Sequence, residues 1–323
     1  MHYLDNAATT RVLPEAAEAA VHAMLEEFGN PSSLHRMGLE ASHLLEDSRK
    51  TVASALGCLP EEVYFTACGT ESTNISLHGA AHLNRHKKGR IIVTEIEHAA
   101  TINTAKQLAD SGFDVVFLAP DATGHITPEV LSEALTEDTV LLSCQLVNNE
   151  IGTVQPVEQL GKLLKAKAPK ALFHIDAVQG LCRVRLTPKK WNCDLMSVSG
   201  HKIGAPKGVG ALYVRRGYNL APVFLGGGQE QKRRPGTENV AYIAAMARAI
   251  ERMLADGGRA GRIAALNKTL RDALAGMPGI VLNSPADALP ELVNFSVEGV
   301  KSETMRHFLE SRDVYVSSGS ACS

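Results

Sequence analysis

Asp194-Leu195-Met196-Ser197-Val198-Ser199-Gly200-His201-Lys202 is the stretch that decides the fold. Residues 195–198 form a short apolar run of strand type, which ends in a small polar turn closed by a lysine. Gly204, Pro206, Gly208 and Gly210 follow, a segment too rich in breakers to continue as a helix. A lysine held at the end of a buried strand among Ser, Gly and His is a candidate Schiff-base residue. Partial burial and a cationic neighbour lower the pKa of such an amine and free it for attack on a carbonyl. A loop lysine without a chemical role fits the same spacing, and the rest of the chain has to separate the two.

Outward from this stretch the pattern alternates. Strands are expected at 63–65, 91–94, 115–118, 140–144, 172–175, 195–198 and 209–214, with helices at 72–86, 99–110, 128–135 and 157–167. Two helices come first, at 14–28 with Pro14 in its first turn and at 36–56 stopped by Gly57. Strands alternating with helices at this spacing predict an α/β domain around a largely parallel sheet. After Pro235 come helices at 239–256 and 259–275, strands at 280–282 and 292–297, a helix at 302–311 and a strand at 314–316. That tail reads as a smaller α+β domain.

The chain has 323 residues, 45% of them hydrophobic, enough for one large core or two domains. Its net charge of −2 and lack of a basic patch argue against nucleic acid or an anionic membrane as principal partner. The N-terminal residues lack the basic and apolar regions of a secretory signal, and no apolar run approaches bilayer length. The six cysteines form no CxxC pair and suggest a reducing cytosol. No metal site is expected.

In an open α/β sheet, ligands bind beyond the carboxyl ends of the strands. Five of the strand ends here carry polar groups: Cys68-Gly69-Thr70-Glu71-Ser72, Glu97-His98, Asn148-Asn149-Glu150, Asp176 with Gln179, and Ser199-Gly200-His201-Lys202. Taken singly, each has a plain reading. Gly69-Thr70 suits a helix cap as well as an anion site. His98 suits a core histidine, Asp176 the cap of a turn, and Asn148-Asn149 a turn pair. Together they form a phosphate site, a flat imidazole, a buried carboxylate and a lysine, the set that pyridoxal phosphate needs. The carboxylate would pair with the pyridinium nitrogen, the lysine would form the imine and the histidine would stack on the ring. No G-x-G-x-x-G follows the first strand, against a dinucleotide reading.

The motifs Tyr3–Thr10 (YLDNAATT), Phe28-Gly29-Asn30-Pro31-Ser32-Ser33, Gly69-Thr70-Glu71-Ser72, Asn148-Asn149-Glu150-Ile151-Gly152, His174-Ile175-Asp176-Ala177-Val178-Gln179, Ser199-Gly200-His201-Lys202, Gly236-Thr237-Glu238-Asn239 and Ser317-Ser318-Gly319-Ser320-Ala321-Cys322 resemble the cysteine desulfurases of the NifS/IscS kind. These are pyridoxal-phosphate enzymes of the class V aminotransferase fold, a fold-type-I transferase. The resemblance runs over essentially the whole chain. It implies a large cofactor-binding domain at 14–240, a smaller domain at 241–323 that is incomplete, and an N-terminal segment, 1–13, associated with the smaller domain. It implies that Lys202 is the Schiff-base lysine, Asp176 the pyridinium partner and Gln179 the donor to the ring hydroxyl. His98 would be the stacking residue and a proton carrier. Gly69, Thr70, Ser199 and His201 would form the phosphate cradle. Asn149 would contact both the cofactor and the substrate carboxylate. Thr237 would reach the phosphate of a second subunit in a homodimer. Cys322 would be the nucleophile that takes sulfur from L-cysteine as a persulfide, leaves L-alanine, and hands the sulfur to an iron–sulfur scaffold or sulfur carrier in the cytoplasm.

A selenocysteine lyase, a class V aminotransferase and a weakly active cofactor-binding sulfur-transfer scaffold are the alternatives. A transaminase has no use for a nucleophile in a small-residue loop, so Cys322 argues against that one. Cys68, Gly204-Ala205 and Pro235 depart from the family's usual residues. The family continues beyond the position of Ser323, and the arginine that binds the substrate carboxylate is expected in that continuation.

Overall fold

The computed structural model describes residues 1–319; the expected nucleophile Cys322 lies outside the described residues. In chain order, β1 (His2–Tyr3), α1 (Pro14–Leu25) and α2 (Arg36–Leu56) precede β2 (Val63–Thr66), α3 (Gly69–Leu83), β3 (Arg90–Thr94), α4 (Ala99–Asp110) and β4 (Asp114–Leu118). Then come α5 (Pro128–Ala134), β5 (Thr139–Gln145), α6 (Val157–Lys167), β6 (Leu172–Asp176), β7 (Leu195–Ser199) and β8 (Gly210–Val214). The remainder holds α7 (Val240–Ala255), α8 (Arg259–Ala275), β9 (Ile280–Leu282), β10 (Phe295–Val297), α9 (Ser302–Glu310) and β11 (Val314–Tyr315).

Seven of these strands form one mixed sheet in the order β2-β8-β7-β6-β5-β3-β4. Only β8 within it runs antiparallel to its neighbours, and the pairs β7–β6, β6–β5, β5–β3 and β3–β4 are all parallel. All but the edge strand β4 are buried on both faces because helices cover both, as a parallel sheet requires. Period-two alternation sorts their side chains. Ile91, Val93 and Leu141 pack with Ile75 and Leu77 of α3 and Leu108 of α4. Ile92 and Leu142 point the other way, into a cluster with Leu45, Val52 and Leu56 of α2 and Ile243 and Met246 of α7. A fully buried side chain of this size contributes about 1.5–3 kcal/mol, so the strand ends sit on a rigid frame.

Two helix boundaries differ from expectation for steric reasons. The first helix stops at Leu25 rather than 28. The following turn sends Phe28 outward, 63% exposed, and presses Gly29 against α2, where an added Cβ would lie 2.1 Å from the Met37 carbonyl oxygen. Helix α3 starts at Gly69, three residues before the expected 72, so Gly69 and Thr70 belong to its first turn.

Helix α7 packs on α1 and α2. Beyond it, β9 and β10 pair as an antiparallel hairpin, and β1 pairs in parallel with β11. The first residues of the chain are thereby tied to the last described strand, and both lie near the carboxyl ends of the central strands.

Candidate active site

A cavity of about 190 Å3 opens at the carboxyl ends of β2, β3, β5, β6 and β7. Gly69, Thr70, His98, Asn149, Asp176, Gln179, Ser199, His201 and Lys202 all line it. Residues from five loops meet there because the parallel strands end on the same edge. Thr237, exposed in the segment before α7, is not among the lining residues.

Lys202 closes a 3-10 turn, Gly200–Lys202, directly after β7. It is 9% exposed, and its ammonium donates to the carbonyls of Ala7 and Ala8 at 2.5 and 2.8 Å. The N-terminal segment thus forms one wall of the cleft. It is latched there by Thr10, whose N–H and hydroxyl both donate to the His201 carbonyl oxygen, at 2.9 and 2.8 Å. Ser317, just after β11, donates to the Asp5 carboxylate at 2.7 Å. Asp5, Ser317 and Gly319 complete the rim.

Asp176, the last residue of β6, accepts the Val178 N–H at 2.9 Å. Burial raises its pKa, against the Val178 hydrogen bond and the charges of His98 and Lys202, which lower it. A second buried carboxyl, Glu97, lies close enough to feel it. Its Oε1 accepts from the Thr94 hydroxyl at 2.7 Å and the Gln145 N–H at 2.6 Å. Burial first, and the charge of Asp176 second, push Glu97 up to about 8. Two neighbouring carboxyls in a dry site do not both ionise readily. Glu97 is thereby biased toward its neutral acid, and Asp176, which has the charges of His98 and Lys202 beside it, is the carboxyl better placed to face a cationic ligand atom.

His98 caps α4, its Nδ1 accepting the Ala100 N–H at 3.1 Å. In the neutral ring the proton therefore sits on Nε2. His201 shares a hydrogen bond with the Thr9 hydroxyl at 3.1 Å. Burial, then Lys202 and Lys207, lower its pKa to about 4, so it is neutral near pH 7. The Gln179 amide donates to the Ala7 carbonyl oxygen at 2.9 Å, the same oxygen that the Lys202 ammonium reaches. Asn148 builds a turn, its Oδ1 accepting from the N–H groups of Glu150 and Ile151 at 2.9 Å each, and this turn sets its neighbour Asn149 at the cleft.

The first turn of α3 supplies backbone N–H groups that have no partner within the helix. Gly69 is pressed so close to the β6 and β7 ends that an added Cβ would meet Val178 Cγ2 at 2.7 Å. Beside it, the Ser199 hydroxyl is buried without a hydrogen-bond partner among the described residues. An anion is the ligand that such donors lack.

Sequence reasoning placed no site role on Asp5, Ala7, Ala8, Gln145, Val147, Val178, Ser317 or Gly319, all of which line the cleft. The first three lie in the Tyr3–Thr10 motif, whose irregular chain carries no periodic signal. They act largely through carbonyl oxygens, which any residue type provides.

The class-V aminotransferase family model matches residues 2–323. A NifS/IcsS protein homolog from Lactobacillus delbrueckii subsp. bulgaricus is 44% identical over 100% of this chain and 84% of its own length. The cysteine desulfurase IscS of Methanosarcina thermophila is 42% identical over 99% of this chain and 79% of its own. Among solved structures, a NifS-like protein superposes with a TM-score of 0.95 at 38% identity, covering 98% of this chain and 87% of that one. SspA in complex with cysteine gives a TM-score of 0.88 at 33% identity, covering 99% and 90%. With a family match from end to end, relatives above 40% identity and the same fold in solved structures, the chain belongs to the class-V aminotransferase family, among the cysteine desulfurases of the NifS/IscS kind.

Proposed function

We propose that this chain is a pyridoxal-5'-phosphate-dependent cysteine desulfurase. It converts L-cysteine to L-alanine and passes the sulfur, through a persulfide on Cys322, to an acceptor protein. The observation that carries this reading is the meeting of a buried lysine, a buried carboxylate, a helix start and the unpartnered Ser199 hydroxyl in one cleft.

The residues fit the cofactor. The α3 N-terminus with Thr70, the unpartnered Ser199 hydroxyl and His201 would hold its phosphate. A Cβ at Gly69 would crowd that cradle. Asp176 would accept from the ring nitrogen and keep it protonated, with Glu97 beside it biased toward its neutral acid. The Gln179 N–H and the Lys202 amine converge on one oxygen, as donors would toward the adjoining ring-hydroxyl and imine positions. When bound, the cofactor supplies an electron sink for bond cleavage in the substrate.

The chain's own residues do the rest. Lys202 supplies the amine that anchors the cofactor's aldehyde. His98, with its ring in the cleft, can stack on the cofactor and pass a proton through Nε2. Asn149, which lines the cleft, would receive the substrate carboxylate. The Cys322 thiolate attacks the substrate sulfur: the carbon–sulfur bond breaks, a sulfur–sulfur bond forms on Cys322, and the carbon product gains a proton to become alanine. Gly319 lines the cleft and Cys322 follows it three positions on, a span of at most about 11 Å for an extended chain.

We further infer a homodimer in the cytoplasm. Leu34 and Leu225 are 93% and 91% exposed, with Phe28 and Phe224 exposed as well, apolar surface that suits a protein interface. Thr237 is exposed and is not among its own cleft's lining residues, which accords with a role toward a second copy. Five free cysteines among the described residues suit a reducing compartment.

The test is alanine release from L-cysteine by protein reconstituted with pyridoxal phosphate, beside Lys202→Ala. The wild type should form alanine, and borohydride should fix the cofactor to Lys202. Absence of alanine, or a reduced adduct on another lysine, overturns the reading.

A further inference from the structure

The cleft residues Gln179 and Lys202 come from different loops, yet one side chain behind them touches both. Arg183, in the turn after Gln179, donates from Nη1 to the Gln179 side-chain oxygen at 2.6 Å and to its carbonyl oxygen at 3.2 Å. From Nη2 it donates to the Lys202 carbonyl oxygen at 2.9 Å. We propose that Arg183 is the positioning residue of this cleft. Its guanidinium fork couples Gln179 to Lys202 and holds the Gln179 amide with its N–H, not its oxygen, toward the ligand.

Three observations support this. First, a guanidinium has donors only, so the Gln179 atom facing Arg183 must be the oxygen and the amide nitrogen must point away from it. That nitrogen reaches Ala7 on the cleft wall. Secondly, Arg183 has no carboxylate within ion-pair distance among the described residues. Glu291, whose charge acts on it, is bonded to Arg259 at 2.9 Å. A half-buried cation among neutral acceptors still bears a desolvation cost, and a purely structural link would be served as well by a neutral side chain. Thirdly, the charge lies behind the group that would donate to the cofactor's ring oxygen, where a cation favours the ionised form of that oxygen. A lysine in its place has one nitrogen and cannot span both acceptors in the fork geometry.

This inference rests on the pyridoxal-phosphate reading and adds a residue that lines neither the cofactor nor the substrate. The test is a double-mutant cycle read by cofactor affinity and visible absorbance, independently of turnover. Wild type, Arg183→Met, Gln179→Leu and the double variant are titrated with pyridoxal phosphate. Arg183→Met should weaken binding about tenfold, the order of one charge-assisted hydrogen bond, and lower the visible band relative to the ultraviolet band. In the Gln179→Leu background the same change should cost much less than tenfold, because its effect passes through Gln179. Arg183→Lys, which keeps the charge and serves if the methionine variant does not fold, should also fall short of wild-type affinity. Additive losses in the cycle, or an Arg183→Lys protein that binds and absorbs as wild type does, overturn the proposal. A wild type that shows no visible band overturns the pyridoxal-phosphate reading itself, and this proposal with it.

Discussion

Glu97→Gln should flatten the pH dependence of stability in the cofactor-free protein. Glu97 is 8% exposed and its pKa is pushed from 4.5 to about 8. At about 1.4 kcal/mol per unit of pKa, the ionised form is disfavoured in the fold by about 5 kcal/mol. The direction follows from proton counts. Below pH 4.5 the folded and unfolded chains both carry the proton, and nothing is lost. Between 4.5 and about 8 the unfolded chain releases it while the fold keeps it, so stability falls as pH rises. Above about 8 the full penalty is present. Glutamine preserves the shape of the neutral acid and can still accept from Thr94 and the Gln145 N–H, but it never ionises. Urea midpoints at pH 5, 6.5 and 8 read the effect. Relative to Glu97→Gln, the wild type should lose several kcal/mol across this range, with most of the difference gone at pH 5. Parallel profiles for the two proteins would show that Glu97 is ionised in the fold, and would remove the reason for assigning the charge to Asp176 alone.

Other outcomes follow from the same geometry. Asp176→Ala should retain phosphate-anchored cofactor but lose at least about a hundredfold in turnover, since removing one partner of a buried charge pair costs about 3–5 kcal/mol; unchanged turnover excludes the pairing. Gly69→Ala puts a Cβ 2.7 Å from Val178 Cγ2 and should weaken pyridoxal-phosphate binding at least about tenfold, while an equal dissociation constant would mean the helix start is not the phosphate site. His201, with a pKa of about 4, should show no ring titration near pH 6.5 by NMR in the cofactor-free protein.

Much of the sheet was legible from short apolar runs, because a strand buried on both faces carries few polar residues to break its pattern. The five polar strand ends could be read as one site because parallel strands necessarily end on one edge. The start of α3 was not legible. In sequence Gly69-Thr70 reads as a cap ahead of a helix from 72, but here Gly69 opens the helix itself, where a larger residue would strike Val178. The wall made by Ala7 and Ala8 was hidden for a different reason: its contacts to Lys202 are backbone carbonyls almost two hundred positions away in sequence. Arg183 was hidden because it stands behind the cleft, in a turn whose composition gives no hint of two acceptors converging on it. The role of Cys322 came from the resemblance of its loop, with only weak support from its small polar neighbours.

The most direct test of the account is a single turnover with sulfur-labelled L-cysteine and no added thiol. The holoenzyme should form alanine and retain about one equivalent of labelled sulfur per chain on Cys322, in line with one nucleophile per site. Cys322→Ala should bind cofactor normally and retain no label. Label on Cys58, Cys68 or Cys182 instead, or alanine formed at the wild-type rate by Cys322→Ala, would contradict it.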